Sequence, residues 1–174
     1  MDERVMIFID GSNFYHALKE IIPDRQVDFG KLPQKLCGGR RLGRTYFYTV
    51  PVERKENEEN YRKQQQFFSR LTRIAYLETR FGRLVNIKGA WVEKGVDVRI
   101  AVDMLSMAVK DNYDTAILIS RDGDFAYAIE AIKDLGKHVE IAHPFKSHHL
   151  ISCCDKFIPL TPDYLKDCSF RRTY

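Results

Sequence analysis

The sequence predicts a three-layer α/β/α sandwich around a central, mainly parallel sheet, and three observations carry that reading. Unbroken apolar runs of strand length recur, as at residues 5–9 and 115–119, and such runs mark strands covered on both faces. Stretches with helical apolar spacing stand between the runs, and strands alternating with helices pair in parallel through right-handed crossovers. The 174 residues, 44% of them hydrophobic, suffice for one compact core but not for two. No repeat, low-complexity tract or Pro/Gly/Ser linker divides them, so residues 1–174 are expected to form a single domain.

In order along the chain, residues 5–9 give the first strand, Gly11 and Ser12 turn it, and apolar spacing over 14–22 predicts a helix. Residues 44–50 predict a second strand, on which alternation buries at least one of Tyr46, Phe47 and Tyr48. Residues 56–74 predict a long, charged amphipathic helix, and 53–66 is the one candidate for a mobile flap. A strand over 84–87 and a helix over 96–110 follow. The strand at 115–119, the turn at 120–124 and the helix at 125–135 repeat the opening pattern, with Gly136 closing that helix. Strands at 137–142 and 156–160 complete the sheet. Ser12 and Asp124 are placed to cap the helices that follow them.

The formal net charge is +4, yet residues 40–100 hold 14 Lys/Arg against 7 Asp/Glu, so the basic excess is local. Arg40, Arg41, Arg44 and Lys94 are candidates to meet a phosphate backbone, each contact releasing condensed counterions; solvated helix faces account equally well for any one of them. Cys37, Cys153, Cys154 and Cys168 form neither a C-x-x-C pair nor a disulfide framework, which fits reduced thiols in the cytoplasm. His148 and His149 precede Cys153 and Cys154, but adjacent cysteines do not easily place both sulfurs on one tetrahedral zinc. Residues 5–9 are too few for a signal or membrane segment.

The chemistry-bearing residues are acidic. In an open parallel sheet, ligands bind beyond the carboxyl ends of the strands where strand order reverses. Asp10 ends the first strand, Asp122 and Asp124 follow a later one, and Asp97 opens a helix that can point at the same edge. Crowded carboxylates raise one another's pKa unless a cation neutralises them, and oxygen ligands select Mg²⁺ or Mn²⁺. Such an ion can activate water against a phosphodiester with no nucleophilic side chain. Asn13 and Ser120 are placed to orient the carboxylates. Asp103 lies six residues after Asp97, about 240° around a helix, so it is expected to help or to pair with Arg99. Trp91 can stack on a base or pack into the core.

At Phe-Ile-Asp10-Gly-Ser-Asn13, Lys94-Gly-Val-Asp97 with Ile-Ala-Val-Asp103, and Ser120-Arg-Asp-Gly-Asp124-Phe, the chain resembles the NYN domain family, in particular its bacterial LabA-like branch within the PIN-like nuclease superfamily. The resemblance runs from residue 5 to about 160. It implies a PIN-like, Rossmannoid fold and a Mg²⁺- or Mn²⁺-dependent ribonuclease whose products carry 5′-phosphate and 3′-hydroxyl ends. Carried over by position, the acidic site falls on Asp10, Asp97, Asp122 and Asp124, with Asn13 and Ser120 as polar positions. Many PIN-like relatives use a glutamate ligand; none aligns here, and Asp97 takes its place. RNA is the expected partner, with single-stranded DNA as the alternative substrate, a homodimer compatible and no membrane.

A haloacid-dehalogenase-type phosphatase needs a second Asp where this chain has Ser12, and neither a dinucleotide-binding nor a P-loop glycine motif occurs. The rival reading is a non-catalytic module that keeps the acidic pocket for a structural ion and holds RNA or a regulatory protein.

Overall fold

The computed structural model describes residues 2–51 and 57–171, with the side chains of Trp91 and Arg171 outside that description. In chain order its elements are β1 (Arg4–Asp10), α1 (Gly11–Ile21), β2 (Arg25–Val27), α2 (Lys31–Cys37), β3 (Arg41–Thr49), α3 (Glu58–Leu71), β4 (Leu77–Phe81), β5 (Arg83–Ile87), β6 (Ala90–Lys94), α4 (Val96–Val109) and β7 (Thr115–Ile119). A 3₁₀ turn (Gly123–Phe125), α5 (Ala126–Asp134), β8 (His138–His143), α6 (His148–Cys153), β9 (Lys156–Pro159), α7 (Pro162–Leu165) and β10 (Ser169–Arg171) follow.

The central sheet has six strands in the order β4-β3-β1-β7-β8-β9, all parallel. The apolar run of β1 is divided by the pleat: Val5, Ile7 and Ile9 enter one core with Phe14, Leu36 and Leu71, while Phe8 enters another with Ile100, Met104 and Ile129. Helices α1, α2, α3 and α7 therefore cover one face and α4, α5 and α6 the other, giving the three layers the sequence predicts. The chain runs outward from β1 through β3 to β4, then returns across β1 to β7, so strand order reverses between β1 and β7. Among the described residues, no helix is long and apolar enough to cross a membrane.

Several sequence expectations are corrected. Strand β4 replaces no apolar run: Leu-Glu-Thr-Arg-Phe is only half-buried, because it is an edge strand whose Glu78 and Arg80 pair with each other. Residues 84–87 are a strand, but β5 pairs antiparallel with β6 in a separate hairpin outside the sheet. The helix expected over 56–74 is α3, begun by Asn57, whose side chain accepts from Asn60 N–H; residues 53–56 of the expected flap lie outside the described residues. The expectation that at least one of Tyr46, Phe47 and Tyr48 is buried holds for all three, because β3 is an inner strand with helices on both sides. Ser12 and Asp124 are not the caps. Asp10 caps α1 and Asp122 caps the 3₁₀ turn, each accepting a backbone N–H further along.

Candidate functional site

Asp10 lies at the carboxyl end of β1, on the reversal side of the sheet. Gly11 follows because a Cβ there would meet the Tyr48 carbonyl at 2.6 Å and the Phe47 ring at 2.7 Å, so only glycine lets α1 start against β3. Asp10 is 8% exposed. The Asn13 N–H donates to its Oδ1 at 3.2 Å, and the buried Ser120 hydroxyl donates to its Oδ2 at 3.2 Å. Asp122 N–H in turn donates to Ser120 Oγ at 3.2 Å, and Arg121 N–H to Asn13 Oδ1 at 3.2 Å. These bonds lace the loop after β7 to the start of α1, which joins two motifs more than a hundred residues apart.

The two loops form one wall of a cleft of about 350 Å³, lined by Asp10, Ser12, Asn13, His16 and Asp122. Glu93, Val96 and Asp97 line it from β6 and the start of α4. Gly95 makes the bend between Glu93 and α4 with φ 77°, a left-handed conformation glycine adopts freely. Burial pushes the Asp10 carboxyl up to about 6; the bonds from Asn13 and Ser120 oppose that, and the negative charges of Glu93 and Asp122 add to it. Partial desolvation also raises the Glu93 carboxyl, against a bond from the Ser12 hydroxyl and the nearby His16.

Asp10, Asp97 and Asp122 are thus brought to one cleft, with Asn13 and Ser120 beside them. Asp124 is not: it is exposed in the 3₁₀ turn, outside the cleft lining, because its N–H closes that turn onto Asp122 Oδ1 at 3.0 Å. Asp103 points elsewhere too. It accepts from Tyr48 Oη at 2.9 Å and pairs with Arg80, while Arg99 Nε stands only at 4.0 Å. Trp91's side chain lies outside the described residues.

The cations are placed differently from the expectation. Arg41 pairs across from Arg4 and Asp10 from Tyr48, so Arg40 and Arg41 sit at the opposite end of β3 from the cleft, more than roughly 20 Å away at about 3.3 Å per residue, with Arg44 about 13 Å away. Arg40 is bound at 2.9 Å by both Glu140 oxygens, and Arg44 lies 3.3 Å from Glu78. The rule that parallel strands meet ligands at their carboxyl ends already puts residues that open β3 at the far rim. Lys94 is exposed at the end of β6, directly after Glu93 and hence on the other face of the hairpin.

Glu93 and His16 were not singled out from the sequence. Glu93 is four residues before Asp97, a spacing that carries no signal until the β5–β6 hairpin folds back on α1. His16 is a helical turn beyond Ser12, and that i,i+4 spacing from a motif residue is the one cue the sequence held.

The donors fit a hard divalent cation in kind, since the cleft is lined by four carboxylates, with Ser12 and Asn13 as polar neighbours and His16 as the one nitrogen side chain among the ionisable residues. In spacing they are open. Among the described residues, no three His, Cys, Asp or Glu side chains stand close enough together to hold an ion. Mg²⁺ characteristically takes one or two direct carboxylates and keeps its waters, which an open arrangement of carboxylates accommodates.

The family model of the NYN domain matches residues 4–161. The chain is 25% identical over 164 residues to the low amplitude and bright protein LabA of Synechococcus elongatus, covering 90% of this chain and 83% of that one. It shares its fold with the crystal structure of VPA0982, a protein of unknown function from Vibrio parahaemolyticus, with a TM-score of 0.71, 24% identity, and coverage of 93% and 95% of the two chains.

Proposed function

This chain belongs to the NYN domain family, which has the PIN-like nuclease fold, and on that premise we propose that it is a divalent-metal-dependent ribonuclease acting in the cleft at the β1–β7 reversal. The observation that carries the reading is the convergence of Asp10, Asp97 and Asp122, joined by Glu93, on one cleft. Asp10 and Asp122 would hold the ion, with Glu93 and Asp97 lining the same cleft to meet its waters. A bound Mg²⁺ or Mn²⁺ supplies Lewis acidity, lowering the pKa of water and offsetting the charge that gathers on a phosphodiester.

The chain's own groups do the positioning. Ser120 and the Asn13 N–H fix both oxygens of Asp10, so its carboxylate presents the same face to the cleft whatever enters. The Ser12 hydroxyl bonds the Glu93 carboxylate. Val96 lines the cleft on the α4 side. Asp124, outside the lining, serves the turn that sets Asp122.

End-labelled single-stranded RNA is expected to shorten with Mn²⁺ or Mg²⁺ and to remain intact with EDTA. A parallel arm with single-stranded DNA decides the alternative substrate, and sedimentation decides the homodimer. The cytoplasmic setting belongs to the same reading. RNA retained but never shortened at saturating Mn²⁺ would select the non-catalytic alternative.

A further inference from the structure

We propose that Arg121, outside the cleft lining but next in the chain to Asp122, is a phosphate-binding residue at the cleft's edge, so that the ligand is a nucleic acid strand presenting a second phosphate beside the one the carboxylates face; the inference rests on the nuclease reading only for where the strand lies. Arg121 stands between Ser120 and Asp122, and its backbone N–H is fixed to Asn13 Oδ1. Its guanidinium carbon lies over the Phe145 ring, 5.5 Å from the centroid. Phe145 is itself anchored, its N–H donating at 3.0 Å to Nδ1 of the buried His143.

Although Asp122 and Asp124 flank the residue, the Arg121 guanidinium makes no ion pair or hydrogen bond among the described residues, and the residue is exposed. Arg4, Arg40, Arg44 and Arg80 each carry a carboxylate partner; exposed Arg41, Arg73 and Arg83 carry none among the described residues either, and what sets Arg121 apart is its seat on Phe145 next to Asp122. A guanidinium stacked on a ring keeps its planar donor fork free and loses less freedom on binding, and that fork matches phosphate oxygens. A polyanion drawn toward a carboxylate-lined cleft needs such a cation at its edge.

The test is fluorescence anisotropy of a labelled single-stranded RNA in EDTA, over a series of salt concentrations, with thermal unfolding as a control for folding. Arg121→Ala is expected to weaken binding about tenfold at low salt. It should also make the slope of log affinity against log salt shallower by about 0.7, the loss of one phosphate contact on a single strand. Arg121→Lys and Phe145→Leu should fall between wild type and Arg121→Ala, since one keeps charge without the fork and the other the fork without its support. Unchanged affinity and slope in Arg121→Ala overturn the proposal, as does a wild-type protein that binds neither RNA nor single-stranded DNA. Binding that depends on Arg121 with no cleavage in Mn²⁺ sinks the ribonuclease reading and leaves this one standing; cleavage with Arg121-independent binding does the reverse.

Discussion

At the amino-terminal rim of the sheet, most of the charges are tied to one another: Arg4 joins Asp111 and Asp114, Lys137 joins Asp111, and Arg40 grips Glu140 with both donors while reaching Glu3. At the carboxyl rim, Asp10, Asp97, Asp122 and Glu93 share a cleft, and among the described residues none has a cation within ion-pair distance. Arg121 beside them is equally unmatched. One rim uses its charges on each other and gains stability. The other leaves its carboxylates unmatched, and there burial first and the charges of Glu93 and Asp122 second raise the Asp10 carboxyl.

The sharpest way to break this contrast is Asp10→Asn. Cleavage should fall on the order of 10²- to 10³-fold, since an ion that supplies several kcal/mol of transition-state stabilisation loses a ligand. The same variant should be more stable than wild type at pH 7.5 by about 1 kcal/mol, read from urea unfolding without metal. The sign follows from the shift: a carboxyl raised to about 6 from 3.8 contributes stability that is present below 3.8 and lost as pH rises through 6. A variant that is inactive and also destabilised would mean that Asp10 is structural.

At the matched rim the expectation reverses. Arg40→Met leaves Glu140, whose side chain is 9% exposed, without its bidentate partner and with only Lys156 Nζ at 3.8 Å. Unfolding free energy should drop by about 3 kcal/mol, while the cleavage rate per folded molecule stays as in wild type.

His143 ends β8 on the carboxyl rim, fully buried, with no partner for its Nε2 among the described residues. Burial holds its pKa down to about 4 from 6.5, opposed by its bond to Phe145 and assisted by the nearby Arg121 charge. A depressed histidine contributes stability present above pH 6.5 and lost as pH falls through 4, a change of about 2 kcal/mol over that window. His143→Asn, which keeps an acceptor in the Nδ1 position, should flatten the curve. An equally steep acid loss in that variant would assign the titration to other groups.

The smallest effect separates two acids near the cleft. Glu93→Gln should lower cleavage about tenfold, as loss of a group close to an ion does, whereas Asp124→Ala should change it by less than about threefold and act mainly on the 3₁₀ turn. The reverse ranking would restore Asp124 to the site and remove Glu93.

Much of this was legible beforehand because it is local. The apolar runs of β1 and β7, the helix periodicity of α1, α4 and α5, and the Asp-bearing turns after β1 and β7 are read from neighbouring residues, and the rule for open parallel sheets then sets Asp10 and Asp122 at one edge. Strand β4 was not legible, since an edge strand with paired charges carries no apolar run. Neither was the division of roles between Asp122 and Asp124: two residues apart in a tight turn, their directions depend on which N–H each carboxylate captures.

The amino-acid sequence by itself determined the layers, the strand-then-acid motifs and the chemistry their carboxylates invite, because these follow from hydrophobic period and side-chain type over short spans. The tertiary structure alone decided that Glu93 joins the cleft from a hairpin, that Asp124 stays outside it, and that Arg121 stays unpaired. Those outcomes depend on register and on crossovers that bring distant segments within a few ångströms, and no local pattern encodes them.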